Sequence, residues 1–185
     1  MSGRGLHIAL SDDELDRLWM IDLDERADYI GNYFEEEKFG TEDACETDKS
    51  WAFMHSALND ADPDGPMMIA QAPEGGFFSK LFGRRKKPSF GEARFAIMGH
   101  AYVLQSDDYY IGLIEADRIE EVAADLSKIS VTEMGRLVRE NHVTFQASIA
   151  PETASEYAMG WYEDLVTFFQ TAARAKKNVI FTVDF

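Results

Sequence analysis

The chain has 185 residues, 45% of them hydrophobic, and its 34 acidic against 18 basic side chains give a formal net charge of −16. That length supports one compact domain with a proper core, and that apolar content excludes wholesale disorder. The acidic excess repels nucleic acid and anionic membranes, and it steers a basic partner.

No run of about eighteen apolar residues occurs, so no membrane-spanning helix is expected. The stretch from Met1 to Leu10 lacks the apolar length of a signal peptide. A cytoplasmic protein is therefore expected. The single Cys45 agrees, because one cysteine cannot form an internal disulfide. Glu42, Asp43, Glu46 and Asp48 surround it in sequence and would raise its thiol pKa, which argues against a nucleophile.

In chain order, Gly5 to Leu10 reads as an opening strand. Ser11-Asp12-Asp13-Glu14 has the capping-box pattern, with Leu15, Leu18 and Trp19 following at helical spacing. A second helix is predicted over Asp24 to Glu37, with Ala27, Ile30, Tyr33 and Phe34 as its apolar stripe. A third is predicted from Asp48 to Leu58, where Trp51, Met54, His55 and Leu58 share one face. Asp60 to Pro66 is rich in Asp, Pro and Gly and reads as a loop.

The segment from Gly75 to Gly91 differs in charge from its surroundings. It carries Lys80, Arg84, Arg85, Lys86 and Lys87, interleaved with Phe77, Phe78, Leu81 and Phe82. A basic loop insertion at about 75–94 is expected. Phe95–Leu104 and Tyr109–Ile114 then read as strands joined by a turn. Ala116 to Ile129 is a helix by the spacing of Ile119, Val122, Ala123 and Leu126. Ser130 and Glu133 offer a second capping box before Met134, Leu137 and Val138. Pro151 opens a long helix whose stripe is Tyr157, Trp161, Leu165, Phe168 and Phe169. Asn178 is placed to end that helix, and Val179 to Val183 is a final strand.

The order of these elements is similar to that of a known family. Asp48-Lys49-Ser50-Trp51-Ala52-Phe53-Met54-His55 resembles the Asp-Lys-x-Trp-x-x-x-His helix of the YfbM-like proteins, domain of unknown function 1877. Tyr109-Tyr110-Ile111, followed by Ala116 to Val122, Leu126 and Ile129-Ser130, resembles the family's strand, turn, helix and Ile-Ser connection. The resemblance covers most of the chain; the stretch from Gly75 to Arg94 departs from it by being longer and more basic. It implies an α+β fold: one domain, with several helices packed on a small mixed sheet. It implies no activity, since none is established for the family as a whole. Small acidic proteins of this kind occur as immunity partners of bacterial toxins.

Motifs for cofactor chemistry are absent. No Walker sequence, Gly-x-Gly-x-x-Gly or Gly-x-Ser-x-Gly occurs. His7, His55, His100 and His142 show no zinc-type spacing, and the loop from Asp60 to Asp64 lacks the Gly and Glu of a calcium loop. No metal and no cofactor are expected. Asp48 and His55 lie seven residues apart, roughly 10 Å along a helix, which is too far for a catalytic dyad. Asp48 is better read as a helix-start acid, and His55 as packed within the fold.

Residues 1–60 hold sixteen acids against five bases. The expected function is an acidic binding protein, most concretely an immunity-type inhibitor that occludes a basic toxin enzyme. Asp24, Asp28, Glu35, Glu36, Glu42, Asp43 and Glu46 are its expected contacts. The competing expectation is a small enzyme or ligand-binding domain with a pocket near Trp51 and His55.

Overall fold

The structure is a computed structural model and describes residues 3–59, 90–106, 108–141 and 149–184. Most of the expected basic insertion, and His142, lie outside the described residues.

Among the described residues five strands form one sheet in the order β2-β1-β5-β4-β3. They are β1 (Gly5–Leu10), β2 (Ala44–Asp48), β3 (Ala101–Gln105), β4 (Tyr109–Ile114) and β5 (Asn178–Asp184). Each of the four pairings is antiparallel, so the sheet is not mixed as expected, although the α+β class holds. All six residues of β1 are buried, because helices cover both faces of the sheet. Alternation along each strand divides the apolar side chains between two cores. Leu6, Ile8 and Leu10 of β1 face one core with Ile111, Leu113 and Ile180. Ala9, Tyr110, Phe181 and Val183 face the other.

The first core is roofed by α1 (Asp12–Met20), a 3₁₀ turn (Leu23–Glu25), α2 (Arg26–Tyr29), a π turn (Ile30–Glu35) and α3 (Glu36–Lys38). Ser11 caps α1 as expected. Its hydroxyl accepts from the Glu14 amide at 3.3 Å, and the Glu14 carboxylate accepts from the Ser11 amide at 2.7 Å. The single helix expected over Asp24 to Glu37 is thus broken into 3₁₀, α and π pieces. Ile30 and Phe34 hold it to the sheet, while Tyr33 is turned outward.

The second core lies under α4 (Ser50–Leu58), α5 (Ala116–Leu126), α6 (Val131–Glu140) and α7 (Pro151–Ala175). Every residue of α4 is buried. Gly135 lets α6 and α7 approach closely: a Cβ there would lie 2.3 Å from the Met159 sulfur, and Ser155 Oγ donates to the Gly135 carbonyl at 2.8 Å. Gly112 serves β4 in the same way, since a Cβ would lie 2.1 Å from the Met98 carbonyl oxygen.

Three boundaries differ from expectation. Phe95 closes a 3₁₀ turn (Gly91–Phe95) rather than opening a strand, and β3 begins only at Ala101. Asp48 closes β2 in a left-handed conformation (φ 41°) instead of capping a helix, and its carboxylate accepts the Tyr157 hydroxyl. Lys176 (φ 53°), not Asn178, ends α7. The Asn178 side chain is buried and ties β5 to two helix starts, accepting from the Ala116 amide and donating to Asp12 at 2.9 Å each.

Candidate functional site

The layer α1 to α3 carries most of the expected contact residues, and the fold divides them into two groups. Asp24, Asp28, Glu36 and Glu42 are exposed. Glu35, Asp43 and Glu46 are partly buried and engaged within the chain. Asp43 is held by Lys177 Nζ at 2.6 Å and by Lys38 Nζ at 3.5 Å. Glu46 lies 3.7 Å from Arg4 Nε. Glu35 accepts from the Tyr109 hydroxyl at 3.3 Å and the Thr182 hydroxyl at 3.2 Å, with Arg4 Nη2 at 3.6 Å.

The same layer exposes large apolar side chains that sequence reading assigned to the core or left unassigned. Trp19, Met20 (82% exposed), Leu23 (57%), Tyr33 and Phe39 all lie between residues 19 and 39, among the acids. Helical spacing suggested Trp19 and Tyr33 as core residues, but Leu15 and Leu18 in α1 and Ile30 and Phe34 in the π turn take the buried face, and Trp19 and Tyr33 lie beside it, exposed. Two of them are braced by cations. The Arg26 guanidinium lies 4.8 Å from the Trp19 ring centroid and Arg4 lies 5.1 Å from that of Phe39. Arg26 is itself fixed, donating to the carbonyls of Ile21 at 3.1 Å and Val103 at 3.0 Å. These aromatics are therefore preorganised, which lowers the entropy lost when a surface is ordered on binding.

Beneath the π turn is a groove of about 410 Å³, lined by Arg4, Asp28, Gly31, Asn32, Glu35, Tyr109, Thr182 and Asp184 together with apolar residues. A second groove, of about 270 Å³, runs between β2 and α7 and includes Glu42, Cys45, Glu46, Trp161 and Asp164. Burial, and after it the carboxylates of Asp164 and Glu46, push the Cys45 thiol up to about 12. Burial is the larger cause, rather than the acids that neighbour it in sequence.

Trp51 and His55 are both buried, and neither lines these grooves. Trp51 Nε1 donates to the Gly3 carbonyl at 3.1 Å, and its ring packs 5.6 Å from Phe181. His55 Nδ1 lies 3.3 Å from Asn59 Nδ2, which also donates to the carbonyls of His55 at 3.0 Å and Arg94 at 3.2 Å. The pair thus joins α4 to the 3₁₀ turn. His55→Ala is expected to lower stability by about 2 kcal/mol, or roughly 4–8 °C in a thermal melt for a chain of this size. An unchanged melting temperature would contradict this structural role.

Buried in the second core, His7 sits among Phe168, Phe169 and Phe181, with ring centroids 4.8–6.1 Å away. Its Nε2 donates to the Ala96 carbonyl at 2.9 Å, and burial lowers its pKa from 6.5 to about 4.

No helix among the described residues is long and apolar enough to cross a membrane. The chain is similar over its whole length to the crystal structure of YfbM from Escherichia coli, a protein of unknown function. The two share 14% identity at a TM-score of 0.62, and 100% of each chain is covered. At that identity the likeness shows the fold alone. No curated protein matches the chain. The family described as domain of unknown function (DUF1877) matches residues 1–182, and the chain belongs to that family.

Proposed function

We propose that the protein is an acidic binding protein, and most concretely an immunity-type inhibitor that occludes a basic bacterial toxin enzyme. The observation that carries this reading is the stretch from Trp19 to Glu42, in which the acids Asp24, Asp28, Glu36 and Glu42 and the large apolar side chains Trp19, Met20, Leu23, Tyr33 and Phe39 are all exposed. Carboxylates at the rim raise the encounter rate with a cationic protein, and desolvated aromatic and aliphatic anchors supply most of the affinity. The net charge of −16 extends that field over the molecule. Exposed large apolar side chains among charges are the kind of side chain that anchors a protein interface.

The anchors can be tested apart from the charges. Trp19→Ala and Leu23→Ala, both at exposed positions, are expected to weaken capture of the basic partner by about tenfold or more each, at low and high salt alike, with melting temperature unchanged. Capture undiminished by either substitution would move the interface off this stretch.

A further inference from the structure

Resting on that reading, we infer that the groove beneath the π turn receives the guanidinium group of an arginine side chain presented by the partner. Its volume of about 410 Å³ falls in the range of small-ligand sites, roughly 300–1,000 Å³. Three carboxylates, Asp28, Glu35 and Asp184, line it against one cation, Arg4. That cation is already placed, between Glu35, Glu46 and the face of Phe39. Asp28 and Asp184 make no ion pair among the described residues. The groove is thus left with two uncompensated negative charges.

Its floor is rigid. One oxygen of Glu35 takes both the Tyr109 and the Thr182 hydroxyls, so the carboxylate is held in place before any ligand arrives. The described carboxylates do not converge into a group that could hold a metal ion. Carboxylates that line one groove without converging on a single point suit a multi-donor cation. Guanidinium offers five N–H donors in a fixed fork and is more weakly hydrated than an ammonium, so it enters a partly enclosed acidic groove at lower desolvation cost.

The wall of the groove is a π turn, a rare conformation that concentrates at functional sites. Within that turn Gly31 lines the groove, and a Cβ there would meet nothing within 4 Å. A side chain can therefore be added at this lining position without displacing packed atoms.

The test uses the full chain, with N-acetyl-arginine methylamide as probe and its neutral isostere N-acetyl-citrulline methylamide as control. The arginine probe is expected to give saturable amide shifts at Gly31, Asn32, Tyr109 and Thr182, and the citrulline compound none. Gly31→Met, which adds a side chain at the groove lining and leaves every charge in place, is expected to weaken the probe by about tenfold or more and to weaken partner capture with it. Asp28→Asn is expected to weaken both in the same direction. Equal binding of the two compounds, or shifts confined to Glu36, Glu37 and Glu42, would overturn the inference. Loss of the probe with partner capture intact would also overturn it, by making the groove a site for a free guanidinium compound. In either case the wider interface, tested at Trp19 and Leu23, would stand.

Discussion

Lys38→Met is expected to lower the unfolding free energy by about 3 kcal/mol. Lys38 is almost wholly buried, yet its ammonium donates to Glu14 at 2.8 Å and to the Ala9 carbonyl at 3.0 Å, and lies 3.5 Å from Asp43. One cation therefore ties α3 to α1, to strand β1 and to Asp43 just before β2. Burial alone would raise the Glu14 carboxyl, but hydrogen bonds from Lys38 and Ser11 outweigh it and hold the group below its ordinary value. Removing the cation takes the partner from one oxygen of Glu14, whose other oxygen stays bonded to Ser11, and from the Ala9 carbonyl in a desolvated place, and that penalty exceeds what methionine recovers by packing. Asp43 is cushioned, since Lys177 still holds it. The urea midpoint measures the loss. Adding Glu14→Gln to Lys38→Met should return part of it, because the uncompensated charge is then gone. A loss under about 1 kcal/mol would mean that the network is solvated and contributes like a surface pair.

The second large effect is a pH dependence at His7. The folded state keeps this imidazole neutral down to about pH 4, whereas the unfolded chain protonates it near 6.5. Below pH 6.5 the unfolded state binds a proton that the folded state refuses, so stability falls as pH falls. The contribution is complete above pH 6.5, is lost progressively between 6.5 and about 4, and amounts to about 3 kcal/mol. Carboxylates titrate in the lower part of that window, so the informative quantity is a difference. His7→Gln retains a donor for the Ala96 carbonyl and cannot titrate. It should be less stable than the wild type at pH 7.5, and the gap should narrow by pH 4.5. A gap that does not change with pH would show that His7 carries the same charge in both states.

Much of the fold was legible because local chemistry and tertiary packing agree. Ser11 with Glu14, Pro151, and the stripes of α5 and α7 each announce an element that the sheet then buries. Strand β2 was not legible, because its buried positions are Cys45 and Thr47 rather than branched aliphatics. Its alternation reads as polar until β1 is seen beside it. The breakup of the second helix was hidden for a related reason. Ile30 and Phe34 keep a helical spacing of four through the π turn, so periodicity alone cannot tell π from α.

The site was legible in charge but not in shape. Sequence identified the acids of residues 24–46. It could not show that Glu35, Asp43 and Glu46 are bound by Arg4, Lys38 and Lys177, since Lys177 is 134 residues away from Asp43. Nor could spacing show that Trp19 and Tyr33 face outward. Each sits next to a buried neighbour, Leu18 and Phe34, at the edge of the apolar stripe, where spacing does not decide between core and surface.

The most direct test is capture of the tagged protein's partner from its native cell lysate at low and high salt, read by mass spectrometry, with Asp24→Lys/Asp28→Lys/Glu36→Lys/Glu42→Lys run in parallel. A stoichiometric basic protein, weakened by salt and lost to the fourfold variant, is the predicted result. A partner held equally by both proteins at both salt concentrations, or none at either, would contradict the account.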